Sequence, residues 1–252
     1  MTWRIERPSA AEGAEPHSRA LGEVLIAGVD QSDPRPSPTY PDHWWGPDFW
    51  ADLRASGRYA GLIRGITLPD PPGEEEARAE LEELLRMQAS PERRERIPEI
   101  VEEATAPPAY YRRMLFADPI RNVRTAALIG VAVDWSRLFV MAFKHRYKRP
   151  RPTQLEPRLR PVVDCPPHPA YPSGHSTQSH FLALVLGEAT GREDIRDALW
   201  AASDRIAENR EYAGLHYRSD AACGVELATA ILPAFLAEHA SAVAQARAEW
   251  SG

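Results

Sequence analysis

The sequence has only two cysteines, Cys165 and Cys223, among its 252 residues. They form no CxxC pair and lack the spacing of a zinc site, so we expect two reduced thiols. Positive charge is not in excess either, since the net charge is -6, which disfavours a protein built to bind nucleic acid. A protein of this charge that handles an anionic substrate must concentrate its positive charge locally, so a basic cluster would be informative.

Long uninterrupted apolar runs are also scarce. The N-terminal stretch lacks the apolar segment of a secretory signal. The longest runs, Ala126–Val133 and Phe181–Leu186, are far shorter than the roughly 20 residues that span a bilayer. We therefore expect a cytoplasmic protein without a membrane span, although a mature chain whose signal had been removed would look the same.

Alternation of β-branched residues is nearly absent, and apolar residues instead recur at helical spacing, so the sequence predicts an all-α helical bundle. Residues 1–50 are rich in proline, which predicts an extended arm with one short helix around Leu21–Val29. We assign residues 1–72 to an arm packed on the body and residues 73–252 to the catalytic helical domain. The arm's aromatic residues are expected to dock it onto the body, or alternatively to form a stacking platform for a ligand: Trp44, Trp45, Phe49 and Trp50.

Within the body, helical periodicity and end signals predict five main segments. Between the first two of these, Ser90 and Pro91 suit the N-cap and first position of one or two short helices. The predicted main helices cover residues 73–88, 119–144, 173–188, 192–215 and 219–238.

Three segments carry residues suited to oxyanion chemistry. Each has an ordinary interpretation by itself: a solvated basic loop, the start of a helix, or a surface ion-pair network. Together they supply complementary parts of one site. The segments are KHRYKRPRP with Lys144 and Arg151, PAYPSGHSTQ with Ser173, Gly174 and His175, and NREYAGLHYRSD with Arg210, His216 and Asp220.

The cationic residues and the start of the second segment can bind a tetrahedral anion. Lys144, Arg151 and Arg210 offer charge-assisted hydrogen bonds. Ser173 and Gly174 stand where a helix begins, and free backbone N–H groups at such a terminus bind anions. Because these cations neutralise the charge, the site needs no divalent metal.

The two histidines can make and break the bond. His216 and Asp220 are four residues apart, the spacing at which side chains on a helix touch, so the carboxylate can fix one ring nitrogen as a donor and leave the other free to attack. His175 lies beside the anion-binding turn, where it can protonate a leaving group.

These segments resemble the signature of the type 2 phosphatidic acid phosphatase superfamily (PAP2), which also contains bacterial nonspecific acid phosphatases and vanadium haloperoxidases. That signature reads Lys-x6-Arg-Pro, then Pro-Ser-Gly-His, then Ser-Arg-x5-His-x3-Asp. The resemblance spans Lys144 to Asp220, about a third of the chain, and its one departure is Asn209 where the family usually has serine.

The resemblance implies a role for each matching position. Lys144, Arg151, Ser173, Gly174 and Arg210 would cradle phosphate or vanadate. His216 would be the phosphorylated nucleophile, or the residue bonded to vanadium, and Asp220 would orient it. His175 would be the general acid. His168, five residues before Ser173, falls where haloperoxidases carry a residue that tunes halide oxidation, although a loop histidine without a role is the simpler interpretation.

The preferred function is metal-independent hydrolysis of a phosphate monoester or an organic diphosphate through a phosphohistidine at His216, with no cofactor. The alternative is a haloperoxidase that binds vanadate in the same pocket. A non-catalytic oxyanion-binding scaffold is disfavoured, since binding alone requires no histidine pair with Asp220. The expected partner is a small phosphorylated molecule, without nucleic acid, and the chain could form a homo-oligomer.

Overall fold

A computed structural model describes residues 39–105, 111–113, 115 and 120–251 of the chain. These ranges are helical and contain no β-strand, so the predicted all-α fold is confirmed. The helix predicted around residues 21–29 lies outside them. The α-helices with bounds inside the described ranges include α1 (Pro47–Ser56), α2 (Ala60–Gly65), α3 (Glu74–Ala89), α4 (Pro91–Thr105), α5 (Val123–Tyr147), α6 (Pro152–Leu155), α7 (Gly174–Thr190), α8 (Glu193–Tyr212), α9 (Arg218–Glu238) and α10 (Ala240–Ala248).

Helix ends follow local chemistry. Three glutamates fill the first turn of α3, where the partial positive charge of the helix terminus favours them. Ser90 Oγ accepts a hydrogen bond from the Arg93 N–H at 3.3 Å, so the predicted N-cap of α4 is confirmed. The following segment forms the single helix α4, which continues through Pro98, rather than two short helices.

The segment before residue 72 is less extended than predicted. Helix α1 begins at Pro47, because proline is tolerated at the first helical position, where its missing N–H costs no hydrogen bond. Trp45 and Phe49 are buried, whereas Trp44 is 47% exposed. Ile66 and Leu68 belong to the main hydrophobic core. The division of the chain at residue 72 stays a prediction.

Helix α7 lies at the centre of the bundle and packs against α5, α8 and α9. Its apolar residues are buried together with those of its neighbours, including Trp135 of α5 and Phe235 of α9, whose rings contact each other. Helices α7 and α9 approach closely, since a Cβ atom at Gly224 would lie 2.9 Å from the Ser176 side chain. This contact brings the start of α7 beside the start of α9.

Two helical stretches, Val123–Leu155 and Arg218–Glu238, are by length and composition long and apolar enough to cross a membrane. Counting uninterrupted apolar residues missed them, because polar residues interrupt both. In the most apolar 18 residues of each stretch, 50% and 44% are buried inside the protein. The expected lack of a membrane span is therefore not confirmed, and cytoplasmic localisation stays a prediction.

Candidate active site

A cavity of about 110 Å³ lies between α5, the start of α7 and the loops before α7 and α9. It brings together the three segments singled out in the sequence. Its described lining residues are Arg137, Val140, Met141, Lys144, Arg151, Pro166, His168, Gly174, His175, Gln178, Leu215 and His216.

His216 lies in the loop before α9 rather than on a helix, because α8 ends at Tyr212. Gly214 makes the turn with φ of 76°, and the Leu215 N–H returns to the Arg210 carbonyl at 3.0 Å. The predicted contact nevertheless forms, since His216 Nδ1 is 2.9 Å from Asp220 Oδ2 in the first turn of α9. On the other side of the ring, Nε2 is 2.8 Å from Arg151 Nη1. Arginine only donates, so Nε2 is the acceptor and Nδ1 carries the proton that Asp220 accepts.

Asp220 is fully buried, and the guanidinium of Arg149 holds its carboxylate in place. Arg149 Nη1 donates to Asp220 Oδ1 at 2.6 Å, and Arg149 Nη2 donates to Glu80 of α3 at 2.8 Å. Glu80 also accepts hydrogen bonds from the backbone and the hydroxyl of Ser219. The Arg149 guanidinium lies 3.7 Å from the centre of the Tyr217 ring. Neither Arg149 nor Glu80 could be selected from the sequence, since each belongs to a charged run typical of a solvated surface.

Lys144 and Arg151 form the cationic side of the cavity. Lys144 Nζ donates to the carbonyls of Pro169 and Ala170 at 2.7 and 2.9 Å, which leaves its third proton for an anion. Arg151 Nη2 lies 3.0 Å from His168 Nδ1, and Arg151 Nε donates to the His168 carbonyl at 3.0 Å. His168 therefore lines the cavity and contacts Arg151, and its functional role stays a prediction.

The second segment forms the N-terminus of α7. Ser173 is the N-cap, and its Oγ accepts a hydrogen bond from the Ser176 N–H at 3.4 Å. The Ser173 N–H was predicted to be free for a ligand. It is not free, because it donates to the Asp220 carbonyl at 2.9 Å. Gly174 and His175 occupy the first helical turn, where N–H groups have no acceptor within the helix. Both line the cavity, so these amides replace the Ser173 amide as the candidate anion donors.

Arg210 lies behind the cavity lining, fully buried. Its Nη2 donates to the carboxylate of Glu103 at 2.7 Å and to the Ile100 carbonyl at 2.9 Å. Its Nε and Nη1 have no hydrogen-bond partner among the described residues. Asn209, the departure from the family signature, holds the same carboxylate, since its Nδ2 donates to Glu103 Oε1 at 2.9 Å. Glu103, on α4, was missed because its sequence context resembles any acidic helix face.

The buried positive charges act on both histidines. Burial first, then Arg151 and Lys144, holds the pKa of His216 well below its usual range, so the ring is neutral. Burial first, then Arg210 and Arg151, lowers the pKa of His175 to about 3, against a hydrogen bond to the Glu103 backbone. Burial and Arg151 also lower the pKa of Lys144, an effect that Asp220 opposes. An anion in the cavity would offset this excess of positive charge.

Comparisons with known proteins support the family resemblance of these segments. Residues 125–241 match the PAP2 superfamily, so the resemblance of the three segments is confirmed. Decaprenylphosphoryl-5-phosphoribose phosphatase from two strains of Mycobacterium tuberculosis is 29% identical over 111 residues, which are 44% of this chain and 59% of the relative. The chain thus spans less than two thirds of the length of these curated relatives.

The fold also has a solved counterpart. The crystal structure described as the first bacterial vanadium-dependent iodoperoxidase superposes with a TM-score of 0.56 at 21% identity. The superposition covers 83% of this chain and 61% of that chain. The helical bundle of the haloperoxidase type, predicted from the three segments, is therefore confirmed.

Proposed function

Given the PAP2 superfamily match over residues 125–241, we propose that the protein is a phosphohydrolase that acts through a phosphohistidine at His216. The observation that carries this proposal is the hydrogen bonding of the His216 ring. Nδ1 donates to the buried Asp220, while Nε2 keeps its lone pair on the cavity side, 2.8 Å from Arg151. A neutral imidazole held in this way is a nucleophile directed at a bound anion.

Substrate binding sets up the reaction. A phosphate ester that enters the cavity takes hydrogen bonds from Lys144, Arg151 and the first N–H groups of α7. Arg151 then donates to a phosphate oxygen instead of to Nε2, which frees the lone pair. The negative charge of the phosphoryl group raises the pKa of His175 from about 3, so this ring takes up a proton from solvent.

Bond making and bond breaking follow. His216 Nε2 attacks phosphorus, the bond from phosphorus to the ester oxygen breaks, and His175 protonates the departing oxygen. Asp220 stabilises the positive charge that develops on the His216 ring. His175, now neutral, accepts a proton from a water molecule as that water attacks the phosphohistidine. Phosphate leaves, and both rings return to their starting state.

The substrate is proposed to be a small phosphorylated molecule, a phosphate monoester or an organic diphosphate. The similar Mycobacterium tuberculosis protein is named for a phosphatase activity on a phosphorylated ribose lipid. The cationic cradle supplies the charge neutralisation that a divalent metal provides elsewhere, so we propose that hydrolysis is metal-independent. Homo-oligomer formation and the lack of a nucleic-acid partner stay expectations.

A vanadium-dependent haloperoxidase is the second candidate, and the placement of His168 favours it. This ring lines the cavity and contacts Arg151. Vanadate has the tetrahedral shape and charge of phosphate, so Lys144, Arg151 and Gly174 would hold it beside His216. Bound vanadate would supply the chemistry of peroxide activation, while this chain's residues orient it and hold a proton at His175.

The test is phosphate release from p-nitrophenyl phosphate and from organic diphosphates, in chelator, with and without orthovanadate. Wild type is compared with His216→Ala and with His43→Ala, an exposed histidine as matched control. We expect chelator-resistant, vanadate-inhibited release that disappears in His216→Ala only. No release by wild type, with vanadate-dependent bromination by peroxide, would refute the hydrolase and support the haloperoxidase.

A further inference from the structure

One cation at the cavity has no part in the chemistry described above. Arg137 lies on α5 seven residues before Lys144, about 10 Å along the helix axis and on the same face. Both side chains line the same cavity. Lys144 is fully buried, whereas the Arg137 side chain is 44% exposed, so Arg137 marks the open end.

Gln178 faces Arg137 from the opposite helix. It lies one turn after Gly174 on α7 and also lines the cavity. Its Nε2 donates to the Val133 carbonyl of α5 at 3.2 Å, which fixes the amide at the level of the cavity mouth. One amide hydrogen is used in this way, and the second can donate to a ligand.

Two carboxylates flank Arg137 but leave it weakly bound. Its Nε is 3.3 Å from Asp52 Oδ2, without the geometry of a hydrogen bond, and its Nη2 is 3.4 Å from Asp134 Oδ1. Neither carboxylate is among the described residues that line the cavity. The guanidinium is therefore positioned by its neighbours but still has donors to offer an anion.

We propose that Arg137 and Gln178 form a second anion subsite at the cavity mouth, which makes an organic diphosphate the preferred substrate class. The terminal phosphate occupies the inner cradle beside His216, and the inner phosphate of the substrate lies against Arg137. This inference rests on the proposed hydrolase function and specifies its substrate.

The subsite stabilises the leaving group. His216 attacks the terminal phosphorus, and the bond from that phosphorus to the bridging oxygen breaks. The bridging oxygen leaves as part of an organic monophosphate, and negative charge builds up on it as the bond breaks, before proton transfer from His175 is complete. This transient charge lies next to the Arg137 guanidinium, which therefore binds the transition state more strongly than the ground state. A simple phosphate monoester gains nothing from Arg137.

The experiment compares an alkyl diphosphate with the alkyl monophosphate of the same chain, by kcat/KM, in wild type and Arg137→Gln. We expect the preference for the diphosphate to fall about tenfold in Arg137→Gln. Arg137→Lys should keep most of it, because the charge remains. Arg124→Gln is the matched control, since this exposed arginine lies on the same helix, about 20 Å from Arg137 along the axis. An equal loss on both substrates would overturn the proposal and make Arg137 a structural residue that ties α5 to α1.

Calorimetric binding of inorganic phosphate and pyrophosphate separates this inference from the hydrolase proposal. We expect wild type to bind pyrophosphate more tightly than phosphate, and Arg137→Gln to bind the two about equally. Equal binding by wild type would refute the subsite even if monoesters are hydrolysed. If the preference and its loss are observed but no substrate is hydrolysed, the subsite stands and the hydrolase function fails.

Discussion

Replacing Asp220 by asparagine tests the proposed mechanism at a residue that contacts His216 but does not line the cavity. Asp220 Oδ2 accepts the His216 Nδ1–H and the Tyr217 N–H, at 2.9 and 3.0 Å, and Oδ1 accepts from Arg149. In asparagine one of the two carboxylate oxygens is replaced by an NH2 group, which cannot accept a hydrogen bond from these donors. The His216 ring would then carry its proton on Nε2, where it meets the Arg151 donor 2.8 Å away and cannot attack.

The expected loss is large in rate and moderate in stability. In a serine protease triad, the same change of tautomer lowers kcat by about 10⁴-fold, equivalent to about 5.5 kcal/mol of barrier, and we expect a similar loss here. Arg149 loses one carboxylate but keeps Glu80 at 2.8 Å, so the free energy of unfolding should fall by about 2–3 kcal/mol. For a chain of this size, that lowers Tm by roughly 4–12 °C.

The assay is phosphate release at saturating and at limiting substrate concentration. Thermal unfolding and phosphate binding are measured on the same samples. Asp204→Asn is the matched control, because Asp204 also lies 2.9 Å from a histidine, His180, but is 63% exposed and is not among the described residues that line the cavity. It should change stability by less than about 1 kcal/mol and leave turnover intact. A folded Asp220→Asn protein with turnover within tenfold of wild type would refute the mechanism.

Three further predictions follow from the buried groups around the site. Glu103→Gln leaves the buried Arg210 without its carboxylate and should lower the free energy of unfolding by about 3–5 kcal/mol in urea titrations; an unchanged midpoint would contradict the pairing. The pKa of His175 is lowered to about 3 in the folded protein, so unfolded chains bind its proton at higher pH. This contribution to stability is complete above about pH 6.5 and is lost toward pH 3, by up to about 1.4 kcal/mol per pH unit; flat urea midpoints between pH 7 and 5 in wild type would contradict it. Gly214→Ala places a side chain at φ of 76° and should cost about 1–2 kcal/mol, whereas a neutral result would show that the loop before His216 relaxes.

The sequence predicted the parts of the site that lie within short spacings. Asp220 follows His216 by four residues, and their contact formed although His216 is not helical, because a loop into a helix start also brings such residues together. The resemblance to a known superfamily implied that Lys144 and Arg151 belong to the site, and both line the cavity. Helix periodicity located most helices of the body to within a few residues.

The contacts that cross the chain could not be predicted in the same way. Glu80 and Glu103 stand in helices whose acidic faces are indistinguishable, by residue pattern, from solvated ones. Only their pairing with Arg149 and Arg210 in the folded protein separates them from neighbours such as Glu83, which pairs with Arg86 on the same exposed helix face. Similarly, nothing in the sequence showed that the Ser173 N–H is occupied, since its acceptor is a backbone carbonyl of another helix.

The ion pair between Glu103 and Arg210 joins residues 107 positions apart, and that between Glu80 and Arg149 joins residues 69 apart. During synthesis the two glutamates leave the ribosome well before the arginines that will enclose them. Until then these two ion pairs cannot form, and contacts of such long range form slowly. The site can therefore form only after chain segments far apart in the sequence have come together.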